Sequence, residues 1–405
     1  MNRKADVIVV GGGPCGSFSA LTAARLGAEV TVCEEHTEIG VPEHCAGHVS
    51  VSGLKRLGLS LPPGIIENEI RGAVFYSPSG REFTVKRDSP VTYVLNRELL
   101  DKHLAGLAEK AGVEYILGKR VTSLLLESGR VKGVSFGRRE STSNVVIDAE
   151  GCSSVLLKRA GLQTLDRAMV VNAIQAEANR VSDVNADMVE VYAGQRYAPG
   201  FFAWIIPKRD GSAKVGLAIN RGNPSEHLRL FMQTHPIASK KLKRCKVNRL
   251  SLHSIPLGGA IPKTYSDGLL VVGDAASQVK STTGGGLIFG LLCSKTAGEV
   301  VYEAVKSDDF SANFLSRYQS RWKKTIGFDL EAMHQIRKML NGISDDDMDR
   351  IIDLCSKLNV NEALEDAGDV DFEGGSLLRM FLRPAMPVVG LFFFFSALAS
   401  FLRRE

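Results

Sequence analysis

The sequence predicts an α/β chain: a βαβ unit interrupted by insertions, an antiparallel-sheet domain, and a C-terminal helical region. Three observations carry that expectation. An apolar run, Ala5 to Val10, leads straight into Gly11 to Gly16 and a helical pattern reaching Leu26. Period-two alternation recurs through residues 169–220, and helical periodicity dominates residues 311–383. With 405 residues, 44% hydrophobic and 23% charged, the chain has room for two or three domains and is neither disordered, collagen-like nor a disulfide-stapled miniprotein. Fifty basic side chains against 45 acidic ones leave a net charge of +5, too little to make nucleic acid the expected partner. The seven cysteines are odd in number, none falls in a CxxC, and none lies closer than twelve positions to the next. That spacing argues against zinc ribbons, iron–sulfur ligation and a disulfide framework, and for a reducing, cytosolic setting.

Taken in order, the first strand, the glycine turn, a helix from Ser17 to Leu26 and a second strand from Glu29 to Cys33 form the βαβ beginning. No secretory leader is expected ahead of a strand that starts at Ala5. Short alternating runs at Ala73–Ser77, Glu82–Lys86 and Val91–Leu95 read as antiparallel strands, before a helix from Arg97 to Lys110 closed by Ala111 and Gly112. Strand character resumes at Val113–Leu117, Val121–Glu127, Val131–Phe136 and Val145–Asp148, with Glu127–Arg130 as a hairpin turn. Met188–Tyr192, Phe201–Ile206 and Lys214–Ile219 alternate as an antiparallel sheet over a cavity would, and a helix follows at Ser225–Thr234. Lys240, Lys241, Lys243, Arg244 and Lys246 read first as a solvated helix face, and second as a contact for an anionic headgroup. Leu269–Val272 is a buried strand ending in Gly273 and Asp274, and Gly284, Gly285 and Gly286 open a helix to about Val305. Gly342–Gly375 holds eleven acidic residues against two basic ones and reads as solvated surface.

The far end is different. Pro384 to Leu402 is an uncharged run of 19 residues with Phe392–Phe395 inside it and arginines on both flanks. As a helix it would cover roughly 28 Å, close to a bilayer's hydrocarbon thickness. Membrane insertion or surface attachment is the expectation, with a buried packing helix as the alternative.

Gly11-x-Gly13-x-x-Gly16 after a strand and before a helix is a Rossmann-type dinucleotide fingerprint. The first glycine permits the turn, the second lets backbone approach a pyrophosphate, and the third lets helix and strand pack closely. Phosphate would sit at the helix N-terminus, with Pro14 just inside it. Glu34, eighteen residues beyond Gly16, is placed to accept the hydroxyls of an adenosine ribose, which favours FAD or NAD over NADP. Gly268–Ala276 delivers Asp274 to the end of a buried strand, where a carboxylate can hold a ribityl hydroxyl. Asp148-Ala149-Glu150-Gly151 is a second acidic turn of that kind, though alone it reads equally as a helix cap.

In this order the segments resemble glutathione-reductase-like flavoproteins of the aromatic-hydroxylase type, and within them the geranylgeranyl reductase family, which saturates isoprenoid chains. Glu38–Gly47 looks like the family's Pro-x-x-Cys loop, here Pro42-Glu43-His44-Cys45. Phe202-Ala203-Trp204-Ile205-Ile206-Pro207 is similar to its aromatic-x-Trp-x-Phe-Pro motif, with Ile206 in place of the Phe. Gly273–Ala276 with Thr283–Gly286 matches its second flavin-binding stretch, and Arg97 ahead of Glu98-Leu99-Leu100-Asp101 its arginine and Leu-Asp helix. The resemblance covers residues 5 to 330 and implies FAD as cofactor. It implies a discontinuous FAD-binding domain (1–60, 97–165, 265–310) and a substrate domain (61–96, 166–264); the helical region (311–383) runs on past it, and the acidic stretch and the apolar tail (384–405) lie outside what it explains. The implied cofactor-binding residues are Gly11, Gly13, Pro14, Gly16, Glu34, Glu35, Cys45, Ala46, Arg97, Val121, Asp274, Gly284, Gly285 and Gly286. No metal site is implied.

An isolated alkene lacks a carbonyl to withdraw charge, so its reduction needs a proton source and an apolar channel whose aromatic walls tolerate a cation-like carbon. Phe202 and Trp204, two apart on a strand, share one face and suit that wall, though such a pair is also ordinary core. Cys45 and His44 are the titratable residues of the loop and the candidate proton relay, Cys45 having the better claim through the resemblance. The expected partners are an isoprenoid lipid, an electron donor (a ferredoxin-like protein or reduced nicotinamide) and a membrane surface, at the cytoplasmic face, peripheral or held by the tail. Two other readings stay open: a flavin monooxygenase acting on a small aromatic, and a flavoprotein relaying electrons to a membrane quinone.

Overall fold

The structure is a computed structural model and describes residues 5–365, the apolar tail lying outside them. The chain divides into two units. Unit 1 runs through Glu43 and takes Arg97–Arg167 and Pro256–Glu331; unit 2 takes His44–Asn96, Ala168–Ile255 and the chain from Ala332 onward. Residues 44–60, expected beside the glycine fingerprint, lie in unit 2, because His48–Ser50 pairs antiparallel with Thr92–Leu95.

Unit 1 is built on an eight-stranded sheet. Its parallel part runs Leu269–Val271, Arg139–Asp148, Ala5–Val10, Val30–Cys33, Glu114–Ile116. Val10 stands opposite both Asp148 and Cys33, and Asp148 opposite Val271, so the strands end together. The turns after them therefore gather Gly11, Glu34, Glu150 and Asp274 at one edge of the sheet, where open α/β sheets bind ligands. Val7, Ile8 and Val9 are completely buried, as a central strand covered on both faces requires. The helix Pro14–Leu26 begins with a proline in its first turn and ends on Gly27 at φ 113°. The expected hairpin at Glu127–Arg130 forms, with Ser128 and Gly129 both at positive φ, as a tight turn of the twisted kind demands.

Unit 2 centres on a seven-stranded sheet ordered Lys246–Pro256, Val170–Asn179, Ala213–Ile219, Phe202–Pro207, Met188–Ala193, Gly72–Tyr76, Glu82–Lys86. The neighbours from Val170–Asn179 to Met188–Ala193, and Gly72–Tyr76 with Glu82–Lys86, pair antiparallel as expected, whereas Gly72–Tyr76 runs parallel to Met188–Ala193. One face carries Ile174, Tyr192, Ile205, Val215, Leu217 and Ile219 against Leu228, Phe231 and Leu242 of the helices Pro224–Thr234 and Ala238–Leu242. The other carries Gln175, Phe202, Trp204 and Gly216, by the register of the three strands. At its far end Phe75 and Phe83 meet Ile352 and Val360 of the C-terminal helices.

Two surface expectations change. The basic run is only in part helical: Lys240 and Lys241 sit in the short helix, Lys241 turns inward to pair with Glu190, and Lys246 opens the edge strand. The described acidic residues are not simply solvated. Asp345 accepts the backbone N–H groups of Gln195 at 2.5 Å and Arg196 at 3.1 Å, and Asp353 pairs with Arg81 at 3.3 Å, fastening the helix Asp345–Lys357 to the sheet.

Candidate active site

In unit 1 the fingerprint glycines do three separable things. A Cβ on Gly16 would stand 1.8 Å from the Gly11 carbonyl oxygen, so the helix can approach the first turn only there. A Cβ on Gly11 would stand 2.4 Å from the Ala149 oxygen, while one on Gly13 would meet nothing within 4 Å. Gly13 thus borders open space at the helix N-terminus, the room that a pyrophosphate needs. Glu34 is buried and holds its carboxylate still, Oε2 accepting the Gly12 N–H at 2.6 Å and Oε1 the His36 N–H at 2.9 Å. Glu35 points outward and pairs with Arg120 at 3.4 Å.

The second cradle forms around Asp274. A Cβ on Gly286 would stand 3.0 Å from its Oδ1, so the triple-glycine turn packs against Asp274. Gly284 sits at φ 71°, and its N–H bonds to the Lys280 carbonyl at 2.8 Å. A fully buried clamp holds the turn: Gln278 accepts the Gly273 N–H at 2.8 Å and donates to Tyr318 at 2.8 Å, and Tyr318 donates to the Val271 carbonyl at 2.9 Å. Arg97 makes a two-pronged pair with Asp101, both contacts at 3.1 Å. Burial, opposed by that arginine, holds the Asp101 carboxyl above the usual range. Val121 is half-buried in the connection before the strand Ser123–Glu127.

Two further side chains explain themselves only in three dimensions. Cys15, inside the fingerprint, is half-buried and packs against Gly273 and Gly290, and burial pushes its thiol up to about 12. Asp148 is completely buried, with Oδ1 accepting the Glu150 N–H at 3.0 Å and no hydrogen-bond partner at Oδ2. Burial, and then the charge of Glu150, raise its pKa well above the ordinary value.

In unit 2 the Cys45 loop and the Trp204 face come together through a residue that sequence reasoning missed. Trp204 donates its indole N–H to Gln175 Oε1 at 3.2 Å, and Gln175 donates from Nε2 to the Cys45 carbonyl at 3.5 Å. The indole lies over Gly216, where a Cβ would come within 2.6 Å of its Cζ2. Phe202 stacks on Phe201 at 4.1 Å between centroids and meets Trp204 edge-on at 6.1 Å. The Cys45 sulfur accepts the Gly47 N–H at 3.4 Å. His44 stacks on His253 at 5.5 Å, and Ala46 is half-buried in the same loop. Cys45, Ala46, His44, Phe202 and Trp204 thus belong to unit 2, whereas the fingerprint glycines, Glu34, Arg97, Val121 and Asp274 belong to unit 1. The lone glycine inside the strand Ala213–Ile219 is the signal in the sequence for that close approach.

Among the described residues no helix is long and apolar enough to cross a membrane. Residues 6–184 match the family of FAD dependent oxidoreductases, and residues 170–249 the geranylgeranyl reductase catalytic domain. Digeranylgeranylglycerophospholipid reductase 2 of Methanothermobacter thermautotrophicus is 39% identical over 354 residues, 86% of this chain and 91% of that protein. The protein of the same name from Methanopyrus kandleri is 36% identical, over 88% of this chain and 91% of its own length. Among solved structures, a geranylgeranyl bacteriochlorophyll reductase-like protein of Thermoplasma acidophilum superposes with a TM-score of 0.85 at 28% identity, covering 96% of this chain and 98% of that one.

Proposed function

Because the chain belongs to the geranylgeranyl reductase family of FAD-dependent oxidoreductases, we propose that it saturates the isolated C=C bonds of geranylgeranyl chains in a digeranylgeranylglycerophospholipid-type ether lipid, with the Cys45 loop and the Trp204 face acting on the alkene. Its cofactor is FAD. Gly11, Gly13, Pro14 and Gly16 take the pyrophosphate and Glu34 the ribose, with Glu35 at the rim. Arg97, Val121, Asp274, Gly284, Gly285 and Gly286 would hold the rest of the dinucleotide in unit 1. The fit rests on the open space at Gly13, the immobilised Glu34 carboxylate and the Asp274 cradle.

When bound, FAD supplies a hydride to one alkene carbon. The other carbon must take a proton, and we assign it to Cys45 Sγ, with His44 beside it as the relay that restores the thiol. The Gly47 N–H bonds to that sulfur at 3.4 Å and so helps fix where the thiol sits. Phe202 and Trp204 offer aromatic faces to the electron-poor carbon and keep water away. The observation that carries this reading is the Trp204–Gln175–Cys45 chain of hydrogen bonds, which fixes an aromatic face relative to a thiol loop inside one unit.

The reducing equivalents come from a ferredoxin-like protein or a transiently bound nicotinamide, since the one glycine fingerprint is taken by FAD. The lipid substrate brings the protein to a membrane surface on the cytoplasmic side, and the apolar tail is a second candidate attachment. The test is anaerobic reduction of the yellow protein followed by addition of a geranylgeranyl ether lipid. The expected result is a gain of about two mass units per double bond with reoxidation of the flavin. Flavin that stays reduced over unchanged lipid overturns the reading. Cys45→Ser should keep the colour and lose 10²-fold or more in turnover, roughly what a positioned proton donor contributes. Full activity in that variant removes Cys45 from the mechanism.

A further inference from the structure

We propose that the outer edge of the seven-stranded sheet, strand Lys246–Pro256 with the basic segment before it, is the surface by which this chain docks on an anionic lipid bilayer; its purpose rests on the lipid-reductase reading. Residues 240–249 carry six basic side chains and no acid, more than the surplus of +5 that the whole chain shows. Lys241 is committed to Glu190, but Lys240, Lys243, Arg244 and Lys246 are exposed. Nine large apolar side chains are exposed among the described residues, and three of them, Val247 at 40%, Leu250 at 57% and Leu252 at 61%, lie on this one strand. Such clustering marks a contact surface where scattered leucines would not. Leu250 and Leu252 are two apart and share a face, so they can enter an apolar medium together.

Charge decides between a bilayer and a second copy of the chain. Among the described residues the strand pairs only with Val170–Asn179. Pairing with the same edge of another copy would crowd Lys246, Arg249 and the preceding lysines against their counterparts, and charged edge residues work against that kind of association. An anionic interface suits both sets of side chains, with leucine tips in the acyl boundary and lysine and arginine heads among the phosphates. The strand then continues to His253, stacked on His44 next to Cys45. Seven residues of strand span about 23 Å, so one rigid element joins the lipid-contacting end to the loop assigned to proton transfer.

The test compares vesicles of phosphatidylcholine alone with vesicles containing phosphatidylglycerol, using the full chain loaded with FAD. Wild type should sediment with the anionic vesicles and far less with the neutral ones. Lys243→Gln with Arg244→Gln should weaken anionic binding about 25-fold, fivefold per charge, which is ~1 kcal/mol for each basic residue near such a surface. Leu250→Ser with Leu252→Ser should weaken it about tenfold or more, through lost apolar insertion. Both double variants should turn over lipid in detergent micelles as wild type does while losing turnover of the same lipid in vesicles. Unchanged vesicle binding in both variants overturns the proposal and leaves attachment to another part of the chain. A concentration-dependent dimer that forms without vesicles and dissolves in the leucine variant also overturns it, in favour of a second copy. If the reductase reading itself is wrong, wild type fails in detergent too while the sedimentation result still stands.

Discussion

Unit 1 shapes its site with missing side chains, whereas unit 2 shapes its own with large ones. In unit 1 the turn closes because Gly16 brings no Cβ to within 1.8 Å of the Gly11 oxygen, and a Cβ on Gly13 would meet no described atom within 4 Å. In unit 2 the absent Cβ of Gly216 makes room for the Trp204 indole, and the polar fixing point is a buried glutamine. On the proposed reading the backbone of unit 1 holds the cofactor and the side chains of unit 2 act on the substrate. Damage to the two should look different: colour lost in one case, turnover lost under full colour in the other.

The sharpest break is a pair of glycine variants. Gly16→Ala should abolish yellow holoprotein and unfold unit 1 at ordinary temperature, since backbone has to move to admit the methyl. Gly13→Ala should leave the apoprotein's melting temperature unchanged and remove FAD binding by 100-fold or more, measured by flavin fluorescence titration. Equal thermal damage in both variants would mean that Gly13 is a folding residue and not a ligand-facing one.

The next contrast is acid–base. His235 of unit 2 is fully buried, its ring donating to the Ser77 carbonyl and accepting the Ile237 and Ala238 N–H groups, and burial lowers its pKa from 6.5 to about 4. The unfolded chain takes up that proton first, so this stability is present above pH 6.5 and lost as pH falls toward 4, about 3 kcal/mol in all. Asp148 of unit 1 has the opposite sign: its pKa is raised, so its contribution is full below 3.8 and declines as pH rises through the raised value. Denaturant titrations of His235→Asn should show a flatter acid limb than wild type between pH 6.5 and 4, and those of Asp148→Asn no gain in that flatness. Identical acid limbs for wild type and His235→Asn would refute the assignment.

The smallest effect is at Gln175. Gln175→Leu leaves the Trp204 N–H without its acceptor and the Cys45 carbonyl without its donor. About tenfold in lipid turnover should go, in line with ~1–3 kcal/mol for an unmade buried hydrogen bond, with bound FAD unchanged. Gln175→Glu keeps an acceptor for the indole and should recover part of the loss. A purely structural glutamine would lower the melting temperature in both variants without that partial rescue.

Much of unit 1 was legible because its signals are local. The strand Ala5–Val10, the helix Arg97–Lys110 and the Glu34 position follow from periodicity and spacing alone. Unit 2 hid its elements in two ways. The strand His48–Ser50 is too short to carry a period, Ile66–Ile70 is apolar only at its two ends, and the edge strand Lys246–Pro256 follows a run of basic residues that reads as a helix face. Gln175 was invisible for a different reason. A glutamine in a strand is ordinarily at the surface, and only the pairing of Val170–Asn179 with Ala213–Ile219 sets it beside Gly216 and the indole.

The Gln278–Tyr318 clamp ties the Gly273–Asp274 turn to the helix Ala312–Trp322 through protein groups alone. A receptacle whose walls are propped from behind needs little rearrangement when its occupant arrives. Stripped of its flavin, the polypeptide should therefore recolour on simple mixing, within the time of diffusion and docking and without a slow refolding phase, so that one preparation can be emptied and recharged with modified flavins.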